Sequence, residues 1–284
     1  MLLRELIEHA AKRFQEAGID SAMVDAELLA GHLLGLSRGG VQSEMIRGAE
    51  LDSDQAEKLT QMFGRRLSRE PLQHITGVAF FRSLELEVGR GVFIPRPETE
   101  FVAQLAIDAL AAAPQEKPIA VDLGTGSGAI ALAMATEVPS AQIYAVEKSE
   151  AAFPFTSKNF AKYAGTNAKL ILGDLADAFA ELDGTVWVVA SNPPYIPSAA
   201  IPRDVEVKLF DPELALYGGE DGMDVIHKVS ATAKRLLLPG GALIVEHADS
   251  QGTQVCELLL ADGWREVVSH QDLTGRDRAV TAIK

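Results

Sequence analysis

The apolar positions of this chain change their period twice. Residues 2–17 and 22–36 set apolar side chains three and four apart, as helices with one buried stripe require, and Gly18-Ile19-Asp20 breaks the pattern between them. A third helix is predicted over 53–69, opened by Asp52-Ser53 and closing on Arg65-Arg66-Leu67-Ser68-Arg69. Together these give a small helical domain over residues 1–72. From Ile75 to Val92 the period falls to two: Leu84, Leu86 and Val88 take one side, Glu85 and Glu87 the other. That is the pattern of a half-buried hairpin. With the stiff stretch through Pro95 and Pro97 it makes residues 73–97 a connection, and Thr99 is placed to cap a helix over 100–112.

Residues 98–284 form the main domain. Short Val/Ile/Leu-rich runs at 119–124, 142–147, 168–174, 186–191 and 241–247 alternate with helical patterns at 128–136, 150–164, 222–237 and 251–262. Such alternation predicts a parallel sheet covered by helices on both faces. The end differs, because "WREVVSHQ" and "RAVTAIK" are two strands joined by the turn residues "DLTGRD". The expected fold class is therefore α/β: a Rossmann-like, seven-stranded, mostly parallel sheet with a C-terminal antiparallel hairpin. That hairpin favours a methyltransferase-type sheet over a dehydrogenase-type one.

Composition narrows the function. No apolar run approaches the ~20 residues that cross a bilayer, so no membrane contact is expected. The acid-bearing N-terminus does not read as a signal peptide. The single cysteine, Cys256, excludes an internal disulfide framework, fits a cytoplasmic setting, and reads as a buried helix position. Six histidines, at 9, 32, 74, 227, 247 and 270, include no pair at ligand spacing, so no metal site is expected. The net charge of −14 is uneven: −2 over residues 1–96 and −12 over the rest. An acidic main domain argues against a nucleic-acid partner.

"VDLGTGSGAIALA" follows the first main-domain strand and opens a helix. Gly124, Gly126 and Gly128, with Thr125 and Ser127 between them, let the backbone turn sharply and approach a ligand. Glu147, ending the second strand, suits the two hydroxyls of a ribose. These features fit S-adenosyl-L-methionine or a dinucleotide alike, since Gly124-x-Gly126-x-x-Ala129 satisfies the relaxed dinucleotide pattern. Asp122 favours the former: it can hold the cationic amino group of a methionine moiety, whereas it would repel a pyrophosphate. Asp174, ending the third strand, can accept from an adenine amino group or cap a helix over 175–181.

The fourth strand ends on Asn192-Pro193-Pro194-Tyr195. An amide or adenine nitrogen is a poor nucleophile because its lone pair is delocalised. Two acceptors that take both N–H bonds favour a pyramidal nitrogen and aim its lone pair. The Asn192 side-chain oxygen and the Pro193 carbonyl can be those acceptors, Pro194 stiffens the elbow, and Tyr195 can stack on the planar group. Glu246-His247, which ends the fifth strand, can be read as acid/base machinery, but reads better as lining or bracing the pocket.

Beyond these features, "EPLQHITG" (70–77), "FIPRPETE" (93–100), "DLGTGSGAIALA" (122–133), "SNPPYI" (191–196), "DPELALYGGEDG" (211–222), "VEHA" (245–248) and "LTGRDRAV" (273–280) resemble the peptide chain release factor N5-glutamine methyltransferases, the PrmC/HemK family. The resemblance covers nearly the whole chain, and "IPRPETE" together with the Asn-Pro-Pro-Tyr tetrad is its specific part. It implies a class I S-adenosylmethionine-dependent methyltransferase fold. The implied reaction is methyl transfer to the glutamine of the Gly-Gly-Gln loop of class I release factors, with S-adenosyl-L-homocysteine as product. By the same resemblance Gly124 to Gly128 and Glu147 hold the cofactor, Leu175 packs on its adenine, Asn192 to Tyr195 bind the glutamine, and Phe93 forms an apolar wall. The helical domain docks the release factor, and the enzyme is a monomer. A ribosomal-protein glutamine methyltransferase and a nucleic-acid adenine N6-methyltransferase are the alternatives. Arg65, Arg66 and Arg69 read either as a contact for an acidic partner or as a solvated helix end, and Arg96 and Glu98 either as a pair shaping the entrance or as an interdomain brace.

Overall fold

In the computed structural model, which describes residues 1–284, the first 78 residues form five helices. They are α1 (Leu3–Glu16), α2 (Ala22–Leu34), α3 (Arg38–Arg47), α4 (Ser53–Leu67) and α5 (Leu72–Thr76). Asp52 starts α4 with a capping box: its carboxylate accepts from the Gln55 backbone N–H at 2.8 Å, while the Gln55 side chain accepts from the Asp52 N–H at 3.2 Å. Leu3, Ile7, Phe14, Leu29, Leu59 and Phe63 make the core of the bundle, and the Phe14 and Phe63 rings meet edge to face at 5.8 Å. Periodicity does not reveal α3 or α5. The first carries two glycines and buries only Val41, and the second has five residues.

Residues 202–210 belong to the same compact unit as residues 1–78. The basic cluster explains why. Arg66 is buried, bonding Asp25 at 2.7 Å and Glu206 at 3.0 Å, and Arg69 bonds Glu206 at 2.7 Å and the carbonyls of Ala17 and Gly18. Arg65 pairs with Glu70 through two bonds. These guanidinium groups are therefore engaged by acceptors of their own unit: Arg66 is buried, and Arg65 remains half exposed at the helix end.

The second unit comprises residues 79–201 and 211–284. A short ladder of β1 (Val78–Phe81) and β2 (Leu84–Glu87) buries Leu84 and Leu86, while Glu85 and Glu87 face outward. Next come α6 (Thr99–Ala111), β3 (Ile119–Leu123), α7 (Ala129–Glu137), β4 (Gln142–Glu147), α8 (Phe153–Tyr163), β5 (Ala168–Leu172) and β6 (Val186–Ser191). Two short helices, α9 (Val205–Phe210) in the first unit and α10 (Glu213–Leu216), precede α11 (Asp224–Leu236), β7 (Leu237–Glu246), α12 (Gly252–Ala261), β8 (Arg265–Gln271) and β9 (Asp277–Ile283).

Seven strands form one sheet in the order β5-β4-β3-β6-β7-β9-β8. The first five run parallel; β9 is antiparallel to β7 and β8 to β9. Successive strand residues serve two cores, as pleating demands. Ala120, Ala145 and Val188 pack with α6 and α7, whereas Val121, Leu123, Val146 and Val189 pack with α11 and α12. Because β3 neighbours β4 on one side and β6 on the other, the strand order reverses at β3, where open α/β sheets bind their ligands.

Two local expectations are corrected. Helix α6 begins at Thr99 itself, with Glu98 at the capping position and no side-chain cap, so Thr99 is free for another role. Residues 175–181 do not form an α-helix: turns lead into a single 3₁₀ turn at Ala180–Leu182. Cys256 lies on α12 as expected but is half-buried.

Candidate active site

The loop after β3 is tied down from two sides. Gly124 and Thr125 donate their N–H groups to the Val146 carbonyl of β4 at 3.1 and 3.0 Å. Beneath the loop, the Thr156 hydroxyl donates to the Gly126 carbonyl at 2.5 Å and Asn159 Nδ2 to the Ser127 carbonyl at 2.9 Å. Both side chains are fully buried on α8. The sequence reading did not single them out, although two polar residues on the buried face of a helix were a signal. Gly126 has φ +58°, and a Cβ there would meet no atom within 4 Å, so its open side is free for a ligand.

Two carboxylates flank this loop. Glu147 accepts from the N–H of Gly126 and of Ser149, each at 2.7 Å. Burial raises its pKa, against the pull of these backbone donors. Asp122 is 1% exposed. Its Oδ2 accepts from the Thr125 hydroxyl at 2.6 Å and the Ala131 N–H at 3.1 Å, while its Oδ1 has no partner. Burial pushes its pKa up to about 7, opposed by those two donors and helped by the charge of Glu147. An orphaned buried carboxylate oxygen beside a glycine loop suits a cationic ligand group. Asp174 accepts from the Ala176 N–H at 3.0 Å and pairs with Lys148 at 2.9 Å, which together lower its pKa.

Opposite stands the elbow that follows β6. Ser191 anchors its start by donating to the Leu123 carbonyl at 2.6 Å. Asn192 Nδ2 donates to the Thr99 hydroxyl at 3.2 Å. Beyond the elbow, Ile196 N–H donates to the Leu216 carbonyl and Gly218 N–H to the Ile196 carbonyl. Gln251 holds the Tyr195 carbonyl at 3.0 Å. The "YGGEDG" segment packs so closely that a Cβ on Gly218 would lie 2.4 Å from the Pro194 carbonyl oxygen. On Gly222 (φ +83°) it would lie 2.2 Å from that of Tyr195. Burial raises the Tyr195 pKa, and the neighbouring Glu246 adds to the shift, so the phenol stays neutral. Arg96 lies over the Phe93 ring at 4.9 Å and pairs with Asp211 at 2.6 Å; Asp211, and not Glu98, is its carboxylate partner.

One pocket of about 200 Å³ gathers nearly all of these groups. Asp122, Gly124, Thr125, Gly126, Ser127, Glu147, Asp174 and Leu175 line one part, and Phe93, Asn192, Pro194 and Tyr195 another. Gly128 and Pro193 do not line it: Gly128 caps α7 with φ +90°, and Pro193 is buried within the elbow. Thr99, Lys148 and Lys228 line the pocket too, outside the expected set. Glu246 and His247 are buried and stand behind the pocket, where His247 Nδ1 lies 2.7 Å from the Ala248 carbonyl oxygen.

Comparison with known proteins gives the family. Residues 5–77 match the PrmC N-terminal domain and residues 85–213 the methyltransferase small domain. The chain is 48% identical over 286 residues to a release factor glutamine methyltransferase of Streptomyces coelicolor, covering 100% of this chain and 98% of the relative. This chain belongs to the release factor glutamine methyltransferase family. A second member, from Bifidobacterium longum, is 42% identical over 293 residues and is covered in full on both sides. A methyltransferase structure from Pyrococcus furiosus shares the fold, with TM-score 0.50 and 17% identity over 82% of this chain and 99% of that one. In this family member the methyltransferase sheet is the seven-stranded one described above, preceded by helices of the PrmC N-terminal type.

Proposed function

We propose that this enzyme transfers a methyl group from S-adenosyl-L-methionine to the side-chain amide nitrogen, N5, of the glutamine in the Gly-Gly-Gln loop of class I peptide chain release factors. It is a protein-glutamine methyltransferase by family. The observation that carries the finer reading is a single pocket lined both by Asp122, whose buried Oδ1 has no partner, and by Asn192, Pro194 and Tyr195 of the elbow.

The donor supplies a methyl on a sulfonium centre, which any nucleophile aligned with the carbon–sulfur bond can take. Asp122 Oδ1 would hold its ammonium group, Glu147 its ribose hydroxyls, and Asp174 with Leu175 its adenine. At the acceptor end the chain's task is to make an amide nitrogen nucleophilic. Asn192 Oδ1 and the Pro193 carbonyl each accept one N–H of the glutamine, which draws the nitrogen out of conjugation and fixes its lone pair. The neutral Tyr195 ring and Phe93 confine the amide plane. As the nitrogen–carbon bond formed, the carbon–sulfur bond would break to leave a neutral thioether, and the extra proton on nitrogen would pass to water with no strong base required. The helical unit docks the release factor in this reading.

Radiolabelled methyl transfer to purified release factor tests the proposal, with a factor whose loop glutamine is replaced by alanine run in parallel. Label on the first and none on the second is expected. Label on neither overturns the substrate, and a screen of ribosomal proteins and nucleic acids then decides whether another planar amino group is the acceptor.

A further inference from the structure

Thr99 sits at the first position of α6 and lines the pocket, yet it is buried and caps nothing. Its hydroxyl accepts from Asn192 Nδ2 at 3.2 Å. Beside that hydroxyl is the carboxyl of Glu246, which is 2% exposed, does not line the pocket, keeps Oε2 unpartnered, and is stabilised in its charged form by Thr99 and Tyr195. A threonine hydroxyl has one proton to give. Spent on a carboxylate, that proton is no longer available to Asn192, so toward Asn192 the hydroxyl can only accept. The side-chain amide must then present its NH2 to Thr99 and its oxygen to the pocket. A flipped Asn192 would offer a donor to the substrate amide and could accept neither of its N–H groups.

We infer that Thr99, backed by Glu246, is a positioning residue that fixes the Asn192 amide with its oxygen toward the acceptor nitrogen. This deepens the methyl-transfer reading above and rests on it. The charged groups around Glu246 are mixed: Arg278 on β9 favours the carboxylate, whereas burial and Glu98 oppose it, holding its pKa at about 7. Above neutrality the carboxylate prevails and the orientation is enforced.

The test compares Thr99→Val with Thr99→Ser. Valine keeps the shape and removes the hydroxyl; serine restores it. Thr99→Val should lower kcat by about 10- to 100-fold, with the KM for S-adenosyl-L-methionine within about twofold, and Thr99→Ser should recover most of the rate. A second readout needs no turnover. The Asn192 side-chain NH2 signals, assigned by their loss in Asn192→Asp, should be protected from hydrogen exchange in the parent and in Thr99→Ser and unprotected in Thr99→Val. Parent-like kcat and protection in Thr99→Val would overturn the inference, as would a serine variant as slow as the valine one. If the parent itself methylates no release factor, the substrate reading falls, and the exchange measurement still decides the orientation of Asn192.

Discussion

The hydroxyl of Thr156 donates to the carbonyl of Gly126 at 2.5 Å, from a helix that begins 25 residues after the glycine loop ends. With Asn159 on the Ser127 carbonyl, it supports the loop from the side away from the ligand. The loop is thus held by buried side chains of α8 as well as by its own glycines. Removing such a donor leaves a buried carbonyl unsatisfied, at a cost of about 1–3 kcal/mol. Thr156→Val should therefore weaken S-adenosyl-L-methionine binding by about tenfold while the far-ultraviolet spectrum stays that of the parent. Isothermal titration measures the change.

Under the proposed function, Asp122 should make cofactor binding depend on pH. Burial is the main cause of its pKa of about 7, well above the ordinary carboxylate value of 3.8. A raised pKa favours the folded state when the group is protonated. The contribution to stability is complete below about pH 4 and disappears as the pH rises to about 7. An ammonium beside Oδ1 favours the carboxylate instead, so binding below neutrality releases a proton. Affinity should rise between about pH 5.5 and about pH 7, with proton release seen by titrating in buffers of different ionisation enthalpy. In Asp122→Asn both effects should vanish and affinity should fall; a flat parent profile would remove Asp122 from this role.

Gly222 has no room for a methyl group, because a Cβ would sit 2.2 Å from the Tyr195 carbonyl oxygen and the φ of +83° disfavours one in any case. Gly222→Ala must displace the elbow while leaving the glycine loop after β3 untouched. The expected outcome is a loss of kcat of about 100-fold or more with cofactor affinity within about threefold of the parent. Steady-state kinetics and titration on the same preparation separate the two.

Arg66 holds two carboxylates, Asp25 and Glu206, and all three are well shielded from solvent. Truncating the cation strands Asp25, whereas Glu206 keeps Arg69, so Arg66→Ala should cost about 3–5 kcal/mol in urea unfolding of the first unit. Combining it with Asp25→Leu should recover part of that loss, since the stranded anion is then gone. Additive losses in the double variant would show that packing, and not charge, is what Arg66 supplies.

The local pattern of the chain determined a great deal of this protein. Continuous Val/Ile/Leu-rich runs located the parallel strands of the large sheet, turn residues the final hairpin, and period-3.6 patterns the helices with a buried stripe. A strand covered on both faces is apolar throughout, while a helix buried on one face leaves its period in the sequence. The glycine loop, Glu147 and the Asn-Pro-Pro-Tyr elbow stood out for a related reason: the chemistry proposed for them needs particular residue types at neighbouring positions, and most of these residues do line one pocket. Helices α3 and α5 were not legible, since one carries two glycines with a single buried residue and the other is too short to show a period.

Only the tertiary structure decided who meets whom. Asn192 finds Thr99 93 residues earlier, Arg66 finds Glu206 140 residues later, and Gly222 fits under the Tyr195 carbonyl because Ile196 pairs alongside Tyr217. Read locally, Thr99 was a helix cap, Arg66 part of a helix end and Arg96 a partner for Glu98. Such assignments fail because a hydrogen bond or ion pair is satisfied by whichever group the topology delivers. The tertiary topology, and not the spacing along the chain, brings those groups within 3 Å or so of one another.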